Sequence, residues 1–159
     1  MLSRSFLCIF MLAGALSCGE TKSAARTERG FVEGWLLFPA LETASRERED
    51  GLHCLADARA FQFSGETVAC FSHQNVLCAV ADSLFQADKA SGANASVLQL
   101  GSLSWQRRNV GNGFAYETCR DDVLVNANLL FPEIQTGVGD ISQQFEALLS
   151  SARVVPESP

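Results

Sequence analysis

The segment 65–85, GETVACFSHQNVLCAVADSLF, constrains the fold more than any other part of the sequence. The most closely spaced group of reactive side chains in the chain is Cys70, His73 and Cys78. The first half of the segment alternates as a strand does, and its second half places apolar residues at helical spacing. Further cysteines lie before it, at Cys54, and after it, at Cys119. We therefore expect this region to carry the covalent cross-links of the domain.

Residues 1–17 have the pattern of a secretory signal peptide. Arg4 supplies positive charge, and residues 6–16 form an apolar run. A run of that length fits the roughly 7–15 residues of a signal peptide and falls short of the ~20 that a membrane-spanning helix needs. We expect the segment to be removed on export, and we find no other stretch long and apolar enough to span a bilayer.

Residues 15–18 read Ala-Leu-Ser-Cys and resemble the lipobox of bacterial lipoproteins, whose cysteine is lipidated and becomes the first residue. The resemblance covers these four positions and the apolar run, and Ala15 stands where the pattern usually has leucine. It implies a lipid on Cys18 and a membrane as partner of the protein, through that lipid. The same residues suit an ordinary signal peptidase that cuts before Cys18, so plain secretion is the alternative.

The number of cysteines favours the lipid anchor. The chain contains six; Cys8 leaves with the signal peptide, and a lipidated Cys18 takes no part in cross-linking. The remaining four are Cys54, Cys70, Cys78 and Cys119. An even number closes as two disulfides in an oxidising compartment, whereas ordinary cleavage leaves a fifth, exposed thiol.

Four cysteines permit three pairings, and sequence alone does not choose among them. A hairpin that turns near 64–65 brings Cys54 opposite Cys78. This arrangement leaves Cys70 to pair with Cys119. A zinc site is the other use for such a cluster, but the spacing lacks the paired C-x₂-C of structural zinc sites. We therefore expect disulfides and no metal or other cofactor.

The mature chain is acidic and of single-domain size. Loss of residues 1–17 from 159 leaves 142, and loss of Arg4 leaves 11 basic against 18 acidic side chains, a net charge of −7. Such a charge argues against nucleic acid and anionic lipid headgroups as partners. We expect a lipidated cysteine and flexible tether over 18–30, a single domain over 31–155, and a loose C-terminus over 156–159.

Local patterns predict an α+β domain with a mostly antiparallel sheet and about three helices. The first helix is expected over 40–49, after Pro39. A hairpin follows over 52–71 with its turn at Ser64-Gly65, and Asn75 is expected to cap a second helix that reaches Lys89. The residues expected to form the buried stripe of that helix are Val76, Leu77, Val80, Leu84 and Phe85.

The second half of the chain predicts a meander and a last helix. We expect one strand over 96–106, a polar connection over 107–112, and a tight turn at Asn112-Gly113 before the next strand. Asp121-Asp122 should turn the chain into a strand over 123–125, and 126–139 resembles a loop. Asp140 is expected to cap the last helix. Its apolar side would consist of Ile141, Phe145, Leu148 and Leu149.

The sequence contains no convincing catalytic set. There is no G-x-S-x-G and no glycine-rich loop before a helix. Adjacent acids at Asp121-Asp122 lack the spacing of a calcium loop. Asn94 begins a glycosylation sequon in a loop-like place, which matters only in a eukaryotic secretory pathway. The residues that remain as a speculative site are His53, His73, Trp105, Arg107 and Arg108.

We therefore favour a lipid-anchored protein of the cell envelope whose domain binds a small ligand or a partner protein without chemistry. A secreted or periplasmic hydrolase that uses His73 or His53 is the first alternative. A eukaryotic secreted protein stabilised by disulfides is the second. An observed cleft that holds either histidine beside a nucleophile and an acid would favour the hydrolase.

Overall fold

The computed structural model describes residues 30–41, 46–48, 54, 57–131 and 137–155. The strands in these ranges are β1 (Phe31–Glu33), β2 (Leu36–Phe38), β3 (Arg46–Arg48), β4 (Arg59–Ser64), β5 (Thr67–Asn75), β6 (Ala95–Leu100), β7 (Leu103–Val110), β8 (Gly113–Arg120), β9 (Val123–Leu130) and β10 (Arg153–Val154). The helices are α1 (Cys78–Ala90) and α2 (Val138–Ser150). Neither helix is long and apolar enough to cross a bilayer, and none elsewhere in the described residues is either.

Seven strands form one antiparallel sheet in the order β3-β4-β5-β9-β8-β7-β6. The chain builds β3 to β5 in sequence, crosses over through α1, and returns as a four-strand meander whose last strand, β9, pairs with β5. A second antiparallel sheet has the order β1-β2-β10. The predicted α+β class with a mostly antiparallel sheet is confirmed, with two helices in the described ranges where about three were expected.

One face of the large sheet, called the packed face below, carries the hydrophobic core. Side chains with alternate parity along the strands point to the same side, which collects Phe61, Phe71 and Tyr116 on this face. The smaller sheet and α2 cover it. Residues that they contribute to the core are Phe31, Leu36, Phe38, Phe145, Leu148 and Leu149. Phe71 lies at the centre, with ring centroids 5.0 Å from Phe38 and 5.7 Å from Phe61.

The opposite face, called the cleft face below, is crossed by α1 and carries both disulfides. Cys54 is bonded to Cys70 and Cys78 to Cys119. Two disulfides were predicted and are confirmed, but the expected pairing of Cys54 with Cys78 is wrong. That expectation assumes that the pairing of the β4–β5 hairpin continues beyond β4 as far as Cys54. Instead, Cys54 lies 5.7 Å (Cα to Cα) from Cys70, which is a residue of β5, the second strand of the hairpin.

Several turns agree with the sequence. The β4–β5 hairpin turns between Ser64 and Thr67, and Gly65 has a positive φ of 57°. Asp121 and Asp122 both have positive φ, 50° and 59°, as the two-residue hairpin turn between β8 and β9 requires. At the β7–β8 turn the glycine with positive φ is Gly111, at 51°, rather than the expected Gly113.

Polar strands account for three errors of prediction. The expected connection over 107–112 is mostly strand, because β7 continues to Val110. The expected loop over 126–139 begins as strand, because β9 continues to Leu130. The expected helix over 40–49 is wrong in its second half, where Arg46–Arg48 pair with β4 as β3. In each of these cases sheet pairing outweighs the weak β-propensity of polar residues. The expected single strand over 96–106 is wrong as well, because the chain turns at Gly101, where φ is 62°, between β6 and β7.

Helix α1 begins later than predicted, and α2 begins earlier. Asn75 ends β5 and does not cap α1, whose N-cap position is Leu77. The buried residues of α1 are Ala81 and Phe85, whereas Leu77, Val80 and Leu84 are exposed. The apolar side predicted for α2 is confirmed, since Phe145, Leu148 and Leu149 are buried and Ile141 packs against them. Gly137, rather than Asp140, is the N-cap residue of α2.

Candidate binding cleft

A cleft of about 440 Å³ opens on the cleft face over β5, β9, β8 and β7, with Cys54 among its lining residues. Its polar lining consists of Ser72, Gln74, Arg108, Glu117, Asn126 and Asn128. Its remaining lining consists of Cys54, Cys70, Val110, Ala115 and Leu130. The volume lies within the range of about 300–1,000 Å³ typical of ligand pockets.

Strand register places the polar lining residues in two adjacent rows. In the first row Ser72 on β5, Asn126 on β9 and Glu117 on β8 lie directly beside one another. In the second row the corresponding positions are Cys70, Asn128 and Ala115, followed by Arg108 on β7. Because the side chains of Cys70 and Ala115 are small, the second row leaves more open space above the sheet than a row of large residues would.

A charged cluster forms one wall. Arg108 donates hydrogen bonds to Asp88 Oδ2 of α1, at 2.6 Å, and to Glu117 Oε1 of β8. Burial opposes the charge of Arg108, but the hydrogen bonds and attraction of Asp88 and Glu117 outweigh it and raise the pKa of the guanidinium. Arg108 is therefore a fixed cation held between two carboxylates, so the cluster has one positive against two negative charges, and the bond to Asp88 ties α1 to β7.

Asn126 forms the floor, and its amide lacks a partner. The residue is 6% exposed, and Asn126 Nδ2 is buried without a hydrogen-bond acceptor among the described residues. Arg108 Nε is likewise buried without a hydrogen-bond acceptor among the described residues. A buried donor left unpaired costs about 1–3 kcal/mol, and both atoms expose less than 1 Å², so they lie beneath the surface of the cleft.

Two further unpaired donors lie on the packed face, at Trp105 Nε1 and Arg107 Nε. Trp105 is completely buried in the core and adjoins no open space lined by the cleft residues. Arg107 lies over the ring of Phe114, 4.2 Å from its centroid. The pair at Asn126 and Arg108 differs because both residues line an open cleft of ligand size.

The structure separates the residues that the sequence suggested as a speculative site. Trp105 is enclosed in the core, Arg107 lies on the packed face near Glu146, and Arg108 lies on the cleft face. His73 Nδ1 is 2.5 Å from Glu33 Oε1, on the packed face. His53 falls outside the described residues, as do Cys18, the tether and the signal peptide.

Other sequence features have structural partners. Asp122 accepts hydrogen bonds from the amides of Val76 and Cys78, which attaches the start of α1 to the β8–β9 turn. Asn94 is exposed in the connection before β6. Among the described residues no three His, Cys, Asp or Glu side chains come together as a metal site would require.

Sequence reasoning missed Asn126, Asn128 and Glu117 as functional residues. The local pattern predicts a loop at the two asparagines, because asparagine is depleted in strands. Their spacing of two nevertheless places both on one face of any strand, and this spacing is the signal that would have found them.

No family model matches the chain, and no similar protein is found among curated proteins or solved structures. The cleft is therefore interpreted from its own geometry and chemistry.

Proposed function

We propose that this chain is a lipid-anchored protein of the cell envelope that binds a small ligand in the cleft without changing it chemically. The observation that carries the proposal is an open cleft of about 440 Å³ with several polar side chains, from Ser72, Gln74, Asn126 and Asn128, in its lining. A concave site of this size with a few convergent polar groups is typical of small-ligand binding.

The compartment follows from covalent chemistry. Two disulfides, Cys54–Cys70 and Cys78–Cys119, are typical of an extracytoplasmic or secreted protein. The lipid anchor is supported by the Ala-Leu-Ser-Cys sequence that ends at Cys18 and by the even number of cysteines left after it. A lipid on Cys18 would place the domain at a membrane surface, with residues 19–30 as its spacer.

Among the described residues, Ser72 is the one hydroxyl that lines the cleft, and no histidine does. A serine nucleophile needs a base within hydrogen-bond reach, so the described lining supports binding rather than catalysis. Arg108 and Glu117 are hydrogen-bonded to each other, an arrangement that holds a binding wall in place.

Binding is tested by screening chemically diverse small molecules against the oxidised mature protein. A ligand raises the melting temperature further as its concentration increases, and it shifts the NMR signals of Asn126 and Ser72. If no compound moves these signals while the protein remains folded, the binding function is wrong. The anchor is tested separately with radioactive fatty acid: Cys18→Ala should lose the label, and label that stays on this variant contradicts the anchor.

A hydrolase is the second candidate, and the pair of His73 and Glu33 favours it. Glu33 is 8% exposed and its carboxylate is 2.5 Å from His73 Nδ1, which orients an imidazole whose side chain is half exposed. A base held by a buried acid is one part of a hydrolytic site. Loss of esterase or amidase activity in His73→Gln, with unchanged folding, would support this candidate against the binding protein.

A further inference from the structure

We propose that the ligand of the cleft is a small organic cation that carries a primary ammonium group. This inference rests on the proposed binding function and names the chemical class that the cleft would take. It follows from three properties of the cleft: the charge of its wall, the acceptor oxygens that its floor leaves open, and the spacing of those oxygens.

The charged wall of the cleft is negative. Arg108 is the one basic residue and Glu117 the one acidic residue in the described lining, and Asp88 of α1 pairs with the same guanidinium. Arg108 bonds to one oxygen of each carboxylate, Asp88 Oδ2 and Glu117 Oε1, and a carboxylate has further lone pairs for other donors. The whole chain also has a net charge of −6. Its field therefore attracts a cation to the cleft and opposes an anion.

The floor of the cleft has two oxygens that the described chain does not use. Ser72 and Asn126 are 8% and 6% exposed, and both line the cleft. Among the described residues, neither Ser72 Oγ nor Asn126 Oδ1 has a hydrogen-bond partner, yet neither belongs to the unpartnered atoms that expose less than 1 Å², whereas Asn126 Nδ2 does. The nitrogen of the Asn126 amide is therefore enclosed, while its oxygen, like the Ser72 hydroxyl, is reached from the cleft.

These two oxygens lie in one row with the carboxylate of Glu117. Strand register places Ser72 beside Asn126, and Asn126 beside Glu117, on β5, β9 and β8. The three positions share the cleft face, because they alternate with residues of the packed face such as Phe71 and Tyr116. Only the serine hydroxyl in this row can also donate, so a ligand bound along it has to supply N–H or O–H donors.

The spacing of the row suits an ammonium nitrogen. Residues directly opposite each other on antiparallel strands have Cβ atoms about 4.5–5.5 Å apart. Two oxygens that accept from one tetrahedral ammonium, each about 2.9 Å from its nitrogen, lie about 4.7 Å apart. One ammonium can thus donate to Asn126 Oδ1 and to the Glu117 carboxylate together. Its third N–H remains for water on the open side of the cleft.

An organic cation fits these surroundings better than a metal ion does. Calcium takes six to eight oxygen ligands, and no three His, Cys, Asp or Glu side chains come together within the described ranges. The guanidinium of Arg108, which is bonded to Glu117, repels a double charge more than a single one. Val110, Ala115 and Leu130 line the same cleft of about 440 Å³ and give room and apolar surface to the carbon skeleton of an amine.

The test compares four probes on the ¹⁵N-labelled, oxidised mature protein. n-Butylamine and ethanolamine carry a primary ammonium on an apolar and on a polar tail. 1-Butanol matches butylamine in size without the charge, and calcium chloride supplies a cation without N–H donors. We expect at least one amine to shift the NMR signals of Ser72 and of the Asn126 side chain saturably. 1-Butanol and calcium should bind about tenfold more weakly or not at all, because neither forms an ammonium–carboxylate hydrogen bond.

Three variants separate recognition from net charge and folding. Glu117→Gln keeps the shape of the side chain and removes its charge, and Asn126→Leu removes the acceptor oxygen; each should weaken amine binding about tenfold or more. Asp121→Asn is the matched control, because it changes the net charge equally in an exposed turn outside the cleft lining. Its affinity should stay within about twofold of wild type, since salt screens a distant exposed charge. With each variant shown to be folded by its NMR spectrum, equal amine binding by wild type, Glu117→Gln and Asn126→Leu overturns the inference.

The outcomes distinguish this inference from the function beneath it. Saturable binding by either amine, weakened in both cleft variants, supports the ammonium class. If 1-butanol or another compound from the wider screen shifts the cleft signals and both amines fail, binding stands and the ammonium class is wrong. If calcium binds as tightly as the amines and displaces them, the cleft recognises charge alone and the ammonium class is again wrong. If no compound moves the cleft signals, both proposals fail together.

Discussion

The two faces of the seven-stranded sheet are held to their surroundings in different ways. On the packed face, Phe71, Tyr116 and Leu129 are completely buried beneath α2 and the smaller sheet. On the cleft face, polar side chains such as Asn126 are buried, and the covering elements are tied down by disulfides. Apolar packing stabilises the packed face. On the cleft face the apolar cluster is smaller, formed by Ala60, Val68 and Cys70, and covalent bonds help to retain the cover.

This comparison explains where the cleft lies. A face that is stabilised by hydrophobic burial has to be filled, because every void costs contacts. A face whose cover is bonded covalently at Cys70 and Cys119 can keep a gap between its two attached elements. The polar floor seen in that gap is thus compatible with a stable domain.

The largest predicted effect is on the packed face. Phe71→Ala should reduce the free energy of unfolding by about 3–5 kcal/mol, because it removes a completely buried ring that contacts four other aromatic rings. Val97→Ala on the cleft face, where Val97 is 55% exposed, is the control and should stay within about 0.5 kcal/mol of wild type. Urea denaturation measures both, and similar losses for the two variants would contradict a single apolar core.

The two disulfides should have the next largest effects on stability, and the two effects should differ in size. In the chain-entropy account, the Cys78–Cys119 bond closes 41 residues and should contribute about 4 kcal/mol, against about 3 kcal/mol for the 16 residues closed by Cys54–Cys70. Replacing each pair by alanine and measuring guanidinium denaturation tests this order. Dithiothreitol should lower the melting temperature of the wild-type protein. An unchanged melting temperature would show that the disulfides do not stabilise the fold.

The packed face was the easier one to predict from sequence. Its strands and α2 follow local rules: the turn at Ser64-Gly65, the two aspartates at 121–122, and the apolar spacing of Phe145, Leu148 and Leu149 are all confirmed. Each of these signals is contained within a few neighbouring residues. Local physics determines such elements almost alone.

Three residues of the cleft lining lie in stretches whose structure the local pattern predicts wrongly. Arg108 lies within a stretch that resembled a connection, and Asn126 and Asn128 within one that resembled a loop, although all three are strand residues. The pairing of Cys54 depends on how the chain before β4 folds back, which no local pattern contains. Conflict between local pattern and final structure is expected at functional positions, and here it coincides with the cleft lining.

The stability of the protein at alkaline pH should depend on Tyr116, a residue of the packed face. Tyr116 is completely buried and its hydroxyl donates to Glu146 Oε1 at 2.9 Å. Burial, followed by this hydrogen bond, raises the pKa of Tyr116 above its usual value of 10.0. The folded state therefore keeps the proton after the unfolded state has lost it, so Tyr116 makes stability fall as pH rises above 10, by up to about 1.4 kcal/mol per pH unit.

Tyr116 is the one tyrosine in the sequence, so ultraviolet absorbance reports its ionisation alone. We expect the tyrosinate signal of the native protein at higher pH than that of the protein in urea. Tyr116→Phe should remove the part of the alkaline destabilisation that belongs to this residue, as measured by melting temperature from pH 8 to pH 11. Coincident titrations of native and unfolded protein would show that the ring is accessible to water.

The smallest predicted effect is a gain in stability, and it comes from a substitution on the cleft face. Asn126→Leu replaces an amide whose Nδ2 is buried without a partner by an apolar side chain of similar shape. It should raise the free energy of unfolding of the ligand-free protein by about 0.5–2 kcal/mol, since the cost of the unpaired donor disappears. Thermal denaturation measures the gain, with Gln99→Leu on the exposed β6 as the neutral control. A loss of stability in Asn126→Leu would mean that the amide is already satisfied in the free protein, and the distinction between a face built for packing and a face built for binding would no longer hold.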